Sequence, residues 1–248
     1  MTEAGKRDTR EERVVPRDDG SGMRRSFHVD LRRDARLGRW VLAVIFTALC
    51  AAATSSAMMS ASATVSTPQS TPWTVYHGDA TGSGLATSVS SVNTTAPEWT
   101  SPALDGQLYG EPLFYSARVY VGTEDNTVYA LSSSGGTIVW STHLGAPVPA
   151  RSLPCGDITP EVGITGTPVI DPVRAELFVV ADELVDGSPH HMLVGLSTTS
   201  GQVMLTQDVD PPGADPAALL QRTGLTLDAG QVVFGMGGNY GDCSTYNP

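Results

Sequence analysis

The sequence predicts an all-β fold made of repeated four-stranded antiparallel units, and three observations carry that expectation. Past Trp73, short runs rich in Val, Tyr, Phe and Leu are punctuated by Gly, Pro, Asp and Ser clusters, the pattern of strands joined by tight turns. Residues 215–221 are the only stretch that reads as a helical turn, and they sit between strands. The same order of strands and turns then returns downstream, which marks a repeat architecture.

Taken in chain order, the first element is a basic region, residues 1–39. It holds 11 of the 15 Lys and Arg and 8 of the 26 Asp and Glu, a balance of +3. Everything after Arg39 carries 4 − 18 = −14 and contains no Lys. Nucleic-acid binding needs clustered cations on the body of the protein, so that class is excluded. Three Cys in 248 residues also exclude a disulfide-dense or multi-zinc scaffold.

Residues 40–63 read as an export signal. An uncharged apolar run, 40–53, follows Arg32, Arg33, Arg36 and Arg39 and precedes Ala61-Ser62-Ala63, the combination that secretion and signal cleavage require. The alternative is a retained signal anchor, because apolar or small residues continue to Met59. Either way the body is expected outside the cytoplasm, secreted or anchored by residues 40–59. Arg24-Arg25-Ser26-Phe27 has the core of a twin-arginine signal but lies well upstream of the apolar run, and Met23 is an alternative start. Leu49 directly before Cys50 argues against lipidation. Residues 64–72 are a Ser/Thr/Pro-rich linker.

The body, 73–248, contains the repeat. Residues 110–144 read as an inner strand after Pro112, a turn at Ser116-Ala117, a strand 118–122, a turn at Glu124-Asp125-Asn126, a strand 128–131, a Ser/Gly turn and a strand from Thr137. Four short antiparallel strands in a meander make one propeller blade. In the copy at 166–209, Leu196 follows Leu131 by 65 residues and Gly201 follows Gly136 by 65. A third copy begins at Gly224. The expected blades are about 99–150, 166–215 and 224–248, the last incomplete. Val119 and Val121 should share one face opposite Tyr120, and Val128 and Ala130 one face opposite Tyr129 and Leu131. Gly136, Gly201 and Asn126 stand where turns need positive φ.

Ala130-x-Ser132-x-x-Gly135-Gly136-x-x-x-Trp140 resembles the tryptophan-docking motif of the quinoprotein-type (PQQ-like) β-propeller family. The resemblance implies that Trp140 stacks on a neighbouring blade. The second copy, Gly195-x-Ser197-x-x-Ser200-Gly201-x-x-x-Leu205, keeps the spacing without the Trp. It also implies two branches of function. Quinoprotein dehydrogenases hold PQQ and Ca²⁺ in the central funnel, usually over adjacent Cys residues, and this chain has no adjacent Cys pair. Other members bind protein segments or act as scaffolds, such as the lipoprotein of the outer-membrane-protein assembly machine. Propellers close with four to eight blades, so about three repeats read as the first part of a larger ring.

The remaining candidates each have a plain structural reading. Cys155 and Cys243 lie in turn-like segments of an exported body and are expected to form a disulfide. Neighbouring His190 and His191 point to opposite faces of a strand and do not share an ion easily. His77 and Asp79 precede a Gly-rich loop and read as surface hydrogen-bonding groups, and His143 reads as structural. The acidic groups Glu124-Asp125, Asp182-Glu183-Asp186 and Asp208-Asp210-Asp215 lack EF-hand spacing; they read as solvated loops, with calcium as the alternative. The Gly-rich run 235–241 does not match a dinucleotide fingerprint, and no G-x-S-x-G elbow occurs.

The functional expectation is a non-catalytic binding or scaffold module at the cell envelope, with a protein or polymer partner and no assigned catalytic residue. Its site is expected in the funnel or in the connections 153–166 and 206–224. The main alternative is a quinoprotein oxidoreductase, and the third is a hydrolase built on a propeller.

Overall fold

The computed structural model describes residues 26–30, 71–86 and 94–239. Two compact units divide the chain. All described residues fall in one of them; the other, 32–70, lies outside the described residues, as do the expected signal or anchor segment and Cys243. No helix among the described residues is long and apolar enough to cross a membrane.

The described residues are almost entirely strand and turn. The first strand is β1 (Ser26–Asp30). One four-stranded antiparallel sheet contains β2 (Leu113–Tyr115), β3 (Arg118–Gly122), β4 (Thr127–Ser132) and β5 (Ile138–His143), paired in that order. After the short pair β6 (Val148–Pro149) and β7 (Glu161–Val162), a second sheet repeats the meander. It consists of β8 (Val169–Asp171), β9 (Glu176–Val185), β10 (Ser188–Ser197) and β11 (Val203–Asp208). Then come β12 (Leu219–Leu220), β13 (Thr226–Asp228), β14 (Gln231–Gly235) and β15 (Gly237–Gly238), with β13 against β14 and β12 against β15. The first two sheets are four-stranded antiparallel meanders of the kind the repeat predicts, while the third contains β13 and β14 with β1 at its edge.

The turn chemistry follows the sequence. Ser116 and Ala117 both take positive φ, 51° and 57°, as a two-residue turn between right-twisted strands requires. Asn126 (φ 54°), Gly136 (67°) and Gly201 (72°) adopt the left-handed conformation expected of them. The helical segment at 215–221 shrinks to a single 3₁₀ turn, Pro216–Ala218. Asp215 caps it by accepting from the Ala217 N–H, Pro216 opens it, and Leu219 and Leu220 leave to form β12.

The core lies between sheets. On β4, Val128 and Ala130 join Tyr120 in a cluster that also takes Leu177, Val179 and Ala181 from β9. Tyr129 and Leu131 turn the other way, with Val119 and Val121. β9 is buried on both faces: Phe178 and Val180 enter a further cluster with Leu225, Val232 and Phe234 of the third sheet. This explains its unbroken apolar run, since a strand covered on both sides need not alternate. Each fully buried Leu, Val or Phe adds roughly 1.5–3 kcal/mol.

Two features depart from expectation. β1 lies in the region read as a leader, yet it pairs antiparallel with β14 from Ser26↔Gly235 to Asp30↔Gln231, because the unpaired edge of a sheet is a template for any extended segment. In addition, the segment at Trp73 runs across the inner edges of all three sheets. Trp73 exchanges two backbone hydrogen bonds with Phe114 on β2 (2.7 and 2.8 Å), and the Thr74 carbonyl accepts from Ile170 on β8 at 2.8 Å. A Cβ on Gly224, just before β13, would lie 2.7 Å from Tyr76. Residues 73–74 thus bond to the edge strands of the first two sheets, and Tyr76 packs beside Gly224 just ahead of the third.

Candidate functional site

The motif residues assemble as a seam between the first two sheets. A bulge between Ala130 and Leu131 puts Trp140 opposite Ala130, and the equivalent bulge between Gly195 and Leu196 puts Leu205 opposite Gly195. The bulge re-aims the outer strand, and Trp140 lands on the next sheet. Its indole N–H donates to Thr198 O at 3.1 Å, and a Cβ on Gly201 would lie 2.5 Å from the ring. Thr198 O also accepts from Arg118 (2.7 Å) and Tyr120 (3.1 Å). Trp99, which the sequence reading passed over, repeats the contact one step earlier. It donates to Ser133 O at 2.8 Å, and Gly136 leaves room for its ring. The available signal was a Trp at the very start of the first expected blade.

Glu124 sits at the same seam, nearer the turns. Its Oε2 accepts from the Gly163 N–H (2.6 Å) and the Thr165 hydroxyl (3.1 Å), while Oε1 is buried without a hydrogen bond. Burial pushes this carboxyl up to about 7, against the two hydrogen bonds and with the nearby Asp182 adding to the rise. Asn126 locks the neighbouring turn by donating to Asp182 O at 2.7 Å. His191 is fully buried, with Nε2 2.9 Å from Asp182 and Nδ1 2.7 Å from Asp210. Burial alone would lower its affinity for a proton; the two carboxylates outweigh that and raise it to about 10. His190 and His191 do point apart, but Asp210 reaches both, a connection the strand argument did not foresee.

The other candidates take local roles. Asp79 accepts from the backbone and hydroxyl groups of Ser83 and Thr81, which hold its carboxyl well below the usual range. His77 stacks on Tyr76. Asp186 takes positive φ in the β9–β10 turn. His143 lies 3.1 Å from the Thr127 hydroxyl.

The two connections singled out in the sequence do converge. Ile158 and Val162 from the first and Leu220 from the second share one small core with Leu153. Beside it opens a cleft of about 230 Å³, lined by Asp157 from the first connection, Leu220, Arg222 and Thr223 from the second, and Met236 to Gly238. The Arg222 guanidinium stands 5.9 Å above the Tyr109 ring. Thr223 ties the wall down through its hydroxyl, which accepts from Gly235 N–H and donates to Gly235 O. Asp157 is the one carboxylate among these lining residues, against the six to eight oxygen ligands that Ca²⁺ takes. The cleft does not fit a calcium–quinone pair, and no step is derived through one.

Four-stranded meanders riveted by Trp140 on Gly201 define a PQQ-like β-propeller repeat protein. A family model described as "outer membrane protein assembly factor BamB" matches residues 74–241, more than half of the chain, and the chain belongs to that family. Among solved structures, BamB from Moraxella catarrhalis is similar at 19% identity and a TM-score of 0.35, over 54% of this chain and 33% of that one. Quinohemoprotein alcohol dehydrogenase from Comamonas testosteroni matches at 18% and 0.29, over 39% and 12%. A europium-containing methanol dehydrogenase matches at 14% and 0.31, over 43% and 16%. The chain therefore spans about a third of the first of these or less of the others. No curated protein matches it.

Proposed function

We propose that the protein is a non-catalytic binding module at the cell envelope, using the cleft between the 153–166 and 206–224 connections to hold a segment of a protein partner. The observation that carries this is the convergence of both connections on one cleft with an apolar floor, Leu220 and Met236, and one cation, Arg222. Such a surface suits an extended peptide with an apolar side chain and a carboxylate. Family membership supports an envelope location and a protein partner, and the leader supports export.

A photo-crosslinking residue at Thr223 of the full chain, in its own cells, should join it to one envelope protein, with Arg222→Ala reducing that product. The same probe at Val203, on an outer strand, should not. Equal labelling from both positions would overturn the reading. So would saturable quinone binding with dye-linked turnover, which would favour the oxidoreductase.

The proposal extends to a Cys155–Cys243 disulfide. In its support, the Cys155 sulfur lies beside the carbonyl of Asn239, four residues before Cys243 in the sequence. Peptide mapping without reduction should recover the two half-cystines in one linked peptide; a Cys155–Cys50 link would sink the assignment.

A further inference from the structure

The edge where β10 meets the end of β11 gathers three donor atoms that no role described above accounts for. His190 Nδ1 lies 3.1 Å from Asp208 Oδ2 and 2.9 Å from Asp210 Oδ2. A ring nitrogen carries at most one proton, and the hydrogen bond it makes is the one to Asp208. Asp210 Oδ2 is therefore left buried beside the imidazole with no hydrogen bond of acceptable geometry.

The other half of the Asp210 carboxylate is fixed. Its Oδ1 accepts from the His191 backbone N–H at 3.1 Å and lies 2.7 Å from the buried His191 ring, whose far nitrogen is 2.9 Å from an Asp182 oxygen. A carboxylate oriented through one oxygen by a buried imidazole, with the other oxygen facing a donor cluster, is the outer-shell arrangement that positions metal ligands. The Asp208 Oδ1 atom is likewise engaged, by the Asp210 backbone N–H at 2.9 Å, which leaves its Oδ2 turned to His190.

The spacing suits a small divalent cation. The three donors lie within 4.8 Å of one another. Bonds of roughly 2.1 Å at tetrahedral angles place donor atoms roughly 3.4 Å apart, close to the His190 separations. The repeat supplies an independent parallel. Shifting back by 65 residues maps His190 onto Asp125 and Asp208 onto His143, and those two, with Asp105, form the other mixed cluster among the described residues. The same blade region thus carries a His–Asp pair twice, with Asp125 in the turn before β4 where the second sheet has His190 on β10.

We propose that His190, Asp208 and Asp210 form a binding site for a divalent transition-metal ion of the zinc class, with one nitrogen and two oxygen ligands and an open fourth position. The mixed donor set favours such an ion over calcium, which takes oxygen ligands only. Bound there, the ion clamps the end of β11 to β10, at the point where the connection toward the cleft departs.

Isothermal titration of chelator-treated full-length protein with Zn²⁺ tests this, beside His190→Ala at a half-buried side chain and Asp208→Ala at an exposed one, with thermal unfolding of both variants confirming that they fold. Asp210 is left intact because it also holds His191. One equivalent of Zn²⁺ should bind saturably, and each variant should weaken that event about 10-fold or more, while Asp125→Ala should leave it unchanged. Co²⁺ in place of Zn²⁺ should show visible absorption that the His190 variant loses. Absence of saturable binding, or binding untouched by both variants, overturns the proposal.

Discussion

Two buried titratable side chains, Glu124 and His191, should each make stability depend on pH. Glu124 has a folded-state value of about 7 against an ordinary 4.5. The folded state therefore holds the proton more tightly than the unfolded chain, and the stability this confers is complete below about 4.5 and lost as pH rises through about 7. The swing is on the order of 3 kcal/mol. Glu124→Gln keeps the acceptor for Gly163 and Thr165, and denaturant unfolding of that variant should be nearly flat over this interval. A wild-type slope that persists in the variant would refute the assignment. His191 acts in a separate window. Held at about 10 by Asp182 and Asp210, it contributes stability that is full below about 6.5 and falls as pH rises through about 10. His191→Gln should therefore be less stable than wild type near neutrality and show a shallower alkaline decline; identical alkaline slopes would show that the imidazole stays neutral.

At the level of elements, the paired bulges matter most. The Ala130/Leu131 bulge turns Trp140 onto Gly201, so the two sides of that contact are separable by mutation. Trp140→Ala removes packing and the bond to Thr198 O and should cost about 3 kcal/mol. Gly201→Ala pushes a methyl into the indole at a residue with φ of 72° and should be comparably damaging. Because the two changes strike one contact, the double variant should lose clearly less than the sum in urea unfolding, and strict additivity would argue against the rivet. β1 offers a second element-scale test. A chain lacking residues 1–63 leaves β14 with β13 alone, and β14 amides from Gln231 to Gly235 should exchange with solvent markedly faster than in the full chain. Unchanged exchange would show that the β1 pairing adds nothing in solution.

For the whole molecule, what could be read in advance was whatever repeats. The repeat led to the strand faces around Val128 and Ala130 and to the glycine turns, and the motif resemblance to a Trp140 that stacks on the next sheet, because each depends on neighbours at fixed spacing; neither led to Gly201 as the receptor of Trp140. What escaped depends on residues far apart in the chain. Residues 73–76 meet β2, β8 and the start of β13, three edges set roughly 40, 100 and 150 positions downstream, and no local pattern announces that meeting. The His190–Asp210 cluster was half legible: period-two alternation correctly separated His190 from His191, but not that a residue just past β11 would reach round to both. The cleft was anticipated as two connections, whereas its walls at Arg222 and Met236 depend on the β12–β15 pairing, too short to signal itself.

The tryptophan contacts also have a direction. Trp99 reaches forward to Gly136, and Trp140 reaches forward to Gly201. The first sheet thus receives Trp99 on Gly136 and passes Trp140 on to Gly201 of the second, whereas the second sheet offers Leu205 at the equivalent position. Trp140 therefore has its receptor only where the chain extends through Thr198 and Gly201, which makes the first sheet's outer face dependent on the second.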